Sequence, residues 1–530
     1  MTAQKRYDDL RSDRSQFLDI ARRASDLTLP YLIRGEEDYN KGGRILKTPW
    51  QSVGSKCVVT LSSKLMLGLL PPQTSFFKLQ LDESQLGQDF PPQIRSELDL
   101  SFAKIERTIM ESIAASDDRV IVHQALKHLV VAGNALIFMG PEGLKLYPLN
   151  RYVVDRDGNG NVIEIITKER INKKLIEKYA PEPKPNPVSN DMDKHGDECD
   201  IYTHIRRENN RFVWHQEVYG KILPKSMGKA PIDTNPWLVL RWNTCDGEVY
   251  GRGRVEEFIG DFKSLEALSQ ALVEGSASAA KVVFTISPSS STKPETLAKA
   301  GNGAIIQGRP EDIGVVQVGK TADFRTAYEM AIGLEKRLSD AFLIMQVRDS
   351  SRTTAEEVRM TQLELEQQLG GLFSLLTVDF LVPYLSRKLS VAQKTGEVPR
   401  LPKNIIKPTI VAGINSLGRG QDAVSLGNFL TTISQTMGPE AMIKYINPEE
   451  VVKRMAAAQG IDVLNLVKSM QEVQQAQQQE MQQAQQMEIT KQVGQVASAP
   501  LMDPTKNPEA EKLFNEQNNP NQNQQGSQQT

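Results

Sequence analysis

Gly314-Val-Val-Gln-Val-Gly-Lys-Thr321 fits the phosphate-loop pattern GxxxxGK[ST] letter for letter. Such a loop holds nucleotide phosphates when its N–H groups curl around them after a strand and before a helix. Three of the four residues between its glycines, Val315, Val316 and Val318, are β-branched and favour extended chain, so a strand falls where the loop should be. Arg309-Pro-Glu-Asp312 occupies the place of the strand that should come before. The string is therefore read as structural, with Lys320 a solvated residue ahead of a helix. A packaging ATPase built on Gly314–Thr321 is the alternative function.

Four other groupings could do chemistry, and each fails on spacing. Asp155-Arg-Asp157-Gly-Asn159-Gly160 copies the first half of a calcium-binding EF-hand loop, but Ile166 stands where the closing bidentate Glu belongs, so a hairpin turn is expected. His195, Cys199, His204 and His215 share one span without a common zinc-ligand spacing, and His123 and His128 share a helix without HExxH. Ser290-x-x-Lys293 sits in a Ser/Pro loop, and no GxSxG nucleophile elbow exists. Gly251-Arg-Gly253 has Glu256 where a dinucleotide fingerprint needs its third glycine. The expectation is no catalytic residue, no cofactor, no metal and no enzymatic activity.

Around these residues the periodicity places helices at Lys5–Leu27, from Pro49 to Leu69, at Pro92–Ala115 and at Val120–Val131. Alternation places strands at Phe76–Leu81, Ala135–Met139, Leu144–Leu149, Tyr152–Val154, Val162–Thr167, Ile201–Ile205, Arg211–Val218 and Trp237–Trp242. Pro181–Asp197 reads as a disordered loop. Two amphipathic helices then bracket a Ser-, Pro- and Gly-rich β insert. The first carries Val255, Phe258, Ile259, Phe262, Leu265, Leu268 and Leu272, and the second Phe324, Tyr328, Ala331, Leu334, Leu338, Phe342 and Met345. Gly275-Ser-Ala-Ser-Ala-Ala280 closes the first, as close helix approach requires, a fraying helix end being the other reading. Thr354-Ala-Glu-Glu357 is a capping box opening a helix that runs to Gly370-Gly371. A further helix spans Leu372–Lys394, an extended piece passes Pro402 and Pro408, and Gly418–Asp422 opens a helical region ending near Met487. From Ala499 the Asn-, Gln- and Pro-rich chain is expected to be disordered. The class is α+β, mainly helical.

Among 530 residues, 63 basic and 65 acidic side chains leave a formal charge of -2, which excludes the global basic field of a tight non-specific DNA binder. A sequence-specific DNA-binding module is disfavoured on the same ground. No run of about 18 apolar residues offers a membrane span, and the charged N-terminus reads as no secretory signal. Cys57, Cys199 and Cys245 lack CxxC spacing and fit a reduced compartment.

Long collinear strings carry a resemblance. Thr48–Leu79 (TPWQSVGSKCVVTLSSKLMLGLLPPQTSFFKL), Ala125–Met139 (ALKHLVVAGNALIFM), Tyr250–Val283, Gly308–Ile313 (GRPEDI), Thr354–Leu376 and Gly413–Asp422 (GINSLGRGQD) closely resemble the portal proteins, or head-to-tail connectors, of short-tailed, podovirus-type bacteriophages. The resemblance implies a portal fold assembled as a homododecameric ring at one capsid vertex. It implies a conduit for double-stranded DNA, packaged by a separate terminase and later ejected, and a platform for the tail. Major capsid and scaffolding proteins, tail adaptor and internal core proteins are the implied further partners, with the protein made in the host cytoplasm, housed in the virion and not inserted in a membrane. By the same resemblance residues 1–250 are a wing, 251–281 and 322–345 the stem helices, 282–321 the clip, 346–353 the tunnel loop, 354–420 wing helices, 421–490 the crown and 491–530 a disordered polar tail. Near-neutral charge suits DNA that must slide, since each cation on phosphate adds affinity in every subunit of a ring. Lys263, Lys281, Arg348 and Arg352 are the candidate DNA-channel residues.

Overall fold

Helix α1 (Ala3–Asp26) forms because Tyr7, Leu10, Phe17, Leu18 and Ala21 recur on one buried side, and the Thr2 hydroxyl accepts the Lys5 N–H at 3.4 Å as its N-cap. The computed structural model describes residues 1–34, 46–72, 76–81, 92–174, 176, 198–279, 283–290, 293–301, 304–316, 321–344, 360, 363, 367–369, 371–398, 408–412, 418–438, 446, 448, 451, 452 and 455. The chain divides into two units, Met1–Gln421 and Asp422–Thr530.

In the first unit, α2 (Val53–Leu69), α3 (Pro92–Ala115) and α4 (Asp118–Ala132) flank the short strand β1 (Phe77–Leu81). Strands β2 (Asn134–Gly140) and β3 (Gly143–Tyr147) form the expected hairpin, and β4 (Tyr152–Arg156), β5 (Val162–Asn172), β6 (Glu198–Glu208), β7 (Arg211–Val218), β8 (Lys221–Ile222) and β9 (Gly228–Pro231) make an antiparallel sheet. Strand β10 (Trp237–Arg241) pairs with β2. After it come α5 (Arg254–Glu257), α6 (Ile259–Ala279), β11 (Val283–Ile286), α7 (Pro294–Lys299), β12 (Ile313–Val316), α8 (Thr321–Ala341), α9 (Leu372–Leu376), α10 (Val382–Thr395) and β13 (Pro408–Ala412). Helix α11 (Gly418–Met437) leads into the second unit. The fold is α+β with helix in the majority.

The largest core joins Leu61 and Leu65 of α2, Phe102 of α3, Leu129 of α4, Phe262 of α6, Leu338 of α8 and Tyr384 of α10. A second core lies between the far half of α1 and one face of the β4–β7 sheet, through Phe17, Tyr152, Ile165, Ile205 and Tyr250. The near half of α1 covers the other face, with Ala3, Tyr7 and Leu10 on Val153, Ile166 and Tyr202. Arg14 pins α1 between these contacts: its Nη1 donates to the Tyr7 hydroxyl and to the carbonyls of Leu149 and Tyr152.

The expected elements exist with shifted edges. The helix expected from Pro49 begins at Val53, after Ser52. The helix expected to carry Val255 to Leu272 on one face breaks at Phe258 into α5 and α6. The second hairpin helix ends at Ala341, where Leu343 takes φ 57° and the Ile344 N–H bonds the Ser339 carbonyl at 2.8 Å, a left-handed cap usually given to glycine. The Leu372–Lys394 helix carries a π turn at Thr377–Leu381. The extended piece at Pro408 is strand β13, paired antiparallel with β1. The Pro181–Asp197 loop, the Thr354–Glu357 cap, the crown beyond residue 455 and the tail from Ala499 lie outside the described residues.

Candidate nucleic-acid interface

Helices α6 and α8 form one antiparallel hairpin, and its root is fixed by packing. Phe262 and Leu265 bury against the main core with Leu334, Leu338 and Phe342, and Phe342 stands edge-on to both Phe258 and Phe262 at 5.7 and 5.6 Å between ring centres. Arg254 closes the root by donating Nη2–H to the Ala341 carbonyl at 3.2 Å. Farther out the helices touch at Gly275, where a Cβ would lie 2.3 Å from a Phe324 ring carbon, so close approach is the reason for this small residue. Strand β11 then pairs with β12 and extends the hairpin, Thr285 opposite Gly314. The apolar faces read from the sequence are therefore buried only near the root. Tyr328 is 59% exposed, and Val273, Met330 and Ile332 also face solvent.

A short polar joint sets the hairpin on the body. Asn134, opening β2, donates Nδ2–H to the Gly251 carbonyl at 2.7 Å and accepts the Gly251 N–H at 2.8 Å. Gly133 ends α4 at φ 70°, and any Cβ there would sit 2.5–2.6 Å from the backbone of Gly251, Arg252 and Gly253. The glycines of the failed dinucleotide pattern thus serve close backbone approach. Arg252 is held between Glu248 and Glu256, both at 2.5 Å, and these hydrogen bonds raise its guanidinium pKa.

The hairpin helices are acidic. Between Ile259 and Ala279 one lysine accompanies three carboxylates, and between Thr321 and Ala341 three cations accompany four. Lys263 projects to solvent beside buried Phe262 and forms no ion pair among the described residues. Asp261 has Arg337 at 3.8 Å, Glu266 accepts the Trp50 N–H at 3.0 Å, and Arg325 pairs with Glu329 at 3.1 Å. Of the four candidate DNA-channel cations only Lys263 is placed. Lys281, Arg348 and Arg352 lie outside the described residues, as does Lys320.

The remaining motifs resolve into structure. Gly314, Val315 and Val316 are strand β12, so the first half of the phosphate-loop pattern is extended ladder and Thr321 begins α8. The Asp155–Gly160 segment is the expected hairpin turn: Asp157 Oδ1 accepts the N–H groups of Asn159 and Asn161 at 3.0 and 2.7 Å. Hydrogen bonds from Asn161 hold the Asp157 carboxyl below its usual range. Ser290 lies in the loop before α7, with no helix or strand of its own, and His195 is outside the described residues.

Two buried polar groups remain, one around Asp118 that was not anticipated and one that brings together His204 and His215 of the rejected zinc grouping. Asp118 accepts the Tyr384 hydroxyl and contacts Lys388 Nζ, each at 2.6 Å, fastening α10 to α4. His204 and His215 sit opposite each other on β6 and β7, with Glu164 touching His204 and Glu217 Oε1 2.9 Å from His215 Nε2. Burial works to raise the Glu164 carboxyl pKa, but hydrogen bonds from His204 and Arg6 prevail and hold it below its usual value.

Residues 1–467 match the family described as bacteriophage head to tail connecting protein. The portal protein of Escherichia phage T7 is 35% identical over 488 residues, covering 88% of each chain. That of Enterobacteria phage SP6 is 29% identical, covering 89% of this chain and 90% of the relative. Among solved structures, the neck of a gene transfer agent particle aligns at TM-score 0.32 and 10% identity, covering 77% of this chain and 90% of that one. A hairpin rooted in the core, a phosphate-loop look-alike whose first residues are strand, and a family match running over residues 1–467 agree: the chain belongs to the bacteriophage head-to-tail connecting proteins, the portal family of short-tailed phages.

Proposed function

We propose that twelve copies of this chain form a ring at one capsid vertex, through which terminase drives double-stranded DNA inward, through which the genome later leaves, and on which the tail is built. The observation that carries the reading is the α6–α8 hairpin, buried at its root and acidic along its exposed length, in a chain of the connector family. Duplex DNA carries about one negative charge per 1.7 Å, so an acidic wall repels it weakly and keeps it sliding. A few cations repeated around the ring, Lys263, Lys281, Arg348 and Arg352, give transient contacts to phosphate that ignore sequence.

In this reading 251–281 and 322–345 are stem, 282–321 clip, 346–353 tunnel loop, 1–250 and 354–420 wing, 421–490 crown and 491–530 a polar tail. Capsid, scaffolding, internal core and tail adaptor proteins are its neighbours in the virion, after synthesis in the host cytoplasm. The chain performs no catalysis, and the energy of packaging comes from the terminase.

Electron microscopy of the purified full chain tests this. Rings with a central channel are expected, together with no ATP turnover in wild type or Lys320→Ala. A persistent monomer at high concentration, or turnover abolished by Lys320→Ala, sinks the proposal.

A further inference from the structure

On the face of the sheet beneath the start of α1, one ring nitrogen each of His204 and His215 and a Glu217 carboxylate oxygen lie within 4.8 Å of one another. His204 and Glu217 are buried, 6% exposed each, and His215 is largely covered. The strand register makes the cluster: His204 faces His215 across the β6–β7 ladder, and Glu217 lies two residues along the same face. Glu164 on β5 contacts His204 Nε2 with Oε1, and Arg6 of α1 binds its Oε2 at 2.7 Å and Asp155 at 2.8 Å. The Ala3 N–H, in the first turn of α1, binds Glu217 Oε2 at 2.7 Å and leaves Oε1 turned toward the histidines.

Charge makes this arrangement costly as it stands. With both imidazoles neutral, three carboxylates, Asp155, Glu164 and Glu217, are met by one guanidinium, Arg6. The next charges on that face are Lys168 and Arg170, which share Asp200, and Arg206, which pairs with Glu208, so that group carries one positive charge in excess and the face as a whole is short of a single positive charge. The α1 N-terminus offsets part of the deficit at Glu217. A bound cation or a proton on one imidazole would supply the missing charge next to the buried Glu164 and Glu217, and the donor geometry is what favours the cation.

We propose that His204, His215 and Glu217 bind one divalent cation of the zinc class, with Glu164 orienting His204 from the outer shell. Two imidazoles and a carboxylate are a donor set that zinc favours, and a carboxylate on a ligating histidine is its usual support. A tetrahedral zinc site has ligand separations of about 3.4 Å, so closing from the present spacing asks for side-chain rotation and no strand movement. The ion takes the place of the hydrogen bond between His215 Nε2 and Glu217 Oε1, whose proton leaves to solvent. Because Ala3 and Arg6 hold the same two carboxylates, the bound ion locks α1 to the sheet.

Chelator-stripped full-length protein is dialysed against zinc chloride, and bound metal is measured by mass spectrometry alongside thermal melting. We expect about one zinc per chain, a higher melting temperature, loss of the zinc in His215→Gln, and affinity weakened roughly 10- to 100-fold in Glu164→Gln. Cobalt(II) substitution in the unaltered chain is independent of any variant's folding. Tetrahedral visible bands without thiolate charge transfer support the site, and thiolate bands or none overturn it. Metal retained in folded His215→Gln, absence of stoichiometric zinc, or stabilisation by acid alone without metal uptake would likewise overturn it.

Discussion

His128 shows how one buried side chain sets a response to pH. It lies inside α4, and burial pushes its imidazole pKa down to about 4 from the ordinary 6.5, with Nδ1 left without a hydrogen-bond partner among the described residues. Between those values the unfolded chain binds a proton that the folded chain refuses. Stability is therefore full above pH 6.5 and falls as the pH drops toward 4, by on the order of 3 kcal/mol in total. Urea unfolding across that range should show a slope that His128→Leu reduces, while an unchanged slope would place the acid sensitivity elsewhere. At this scale the sequence told little: His123 and His128 both read as ordinary helix residues, and only packing separates them. Nor could Asp118, Tyr384 and Lys388 be joined in advance, since Asp118 and Tyr384 lie 266 positions apart in the chain. The pairing of His204 with His215 was within reach, because counting outward from the Asn209-Asn210 turn sets them opposite.

Elements were more legible than their joints. Tyr250–Thr354 reads as helix, β insert and helix because the apolar spacing is strong, and valines inside a phosphate-loop pattern announce a strand that β12 supplies. Apolar spacing does not reveal where the hairpin leaves the core, so Tyr328 reads as buried and is exposed. The break at Phe258, the π turn and the β1–β13 pair depend on tertiary packing or on partners over 300 residues apart. Gly275 tests the close helix approach. Gly275→Ala should change stability little, since helix propensity gains about 1 kcal/mol while the Phe324 ring must shift. Gly275→Leu should lose about 1–3 kcal/mol by overpacking. Phe324→Ala should restore much of that loss in a double-mutant cycle read by hydrogen exchange in α6 and α8. Additive effects would show that the two residues do not meet.

For the ring proposed above, the candidate channel cations are expected to affect retention of DNA and not its passage. We expect Arg348→Ala with Arg352→Ala to leave ring formation intact, weaken duplex binding at low salt, and lower the salt slope by about 0.9 for each phosphate that is no longer neutralised. Rings that bind DNA with an unchanged slope would remove those arginines from the interface. The family relation was legible because collinear strings run from Thr48 to Asp422, whereas subunit count and neighbouring proteins depend on surfaces that no single chain spells out. The bond from the Ala3 N–H to Glu217 joins residues 214 apart and carries a consequence in time. At about 5–20 residues per second, the first helix leaves the ribosome roughly 10 to 40 seconds before the strand that receives it. During that interval Tyr7, Leu10 and Phe17 have no sheet to cover, and the apolar side of the helix stays open to water or to other chains.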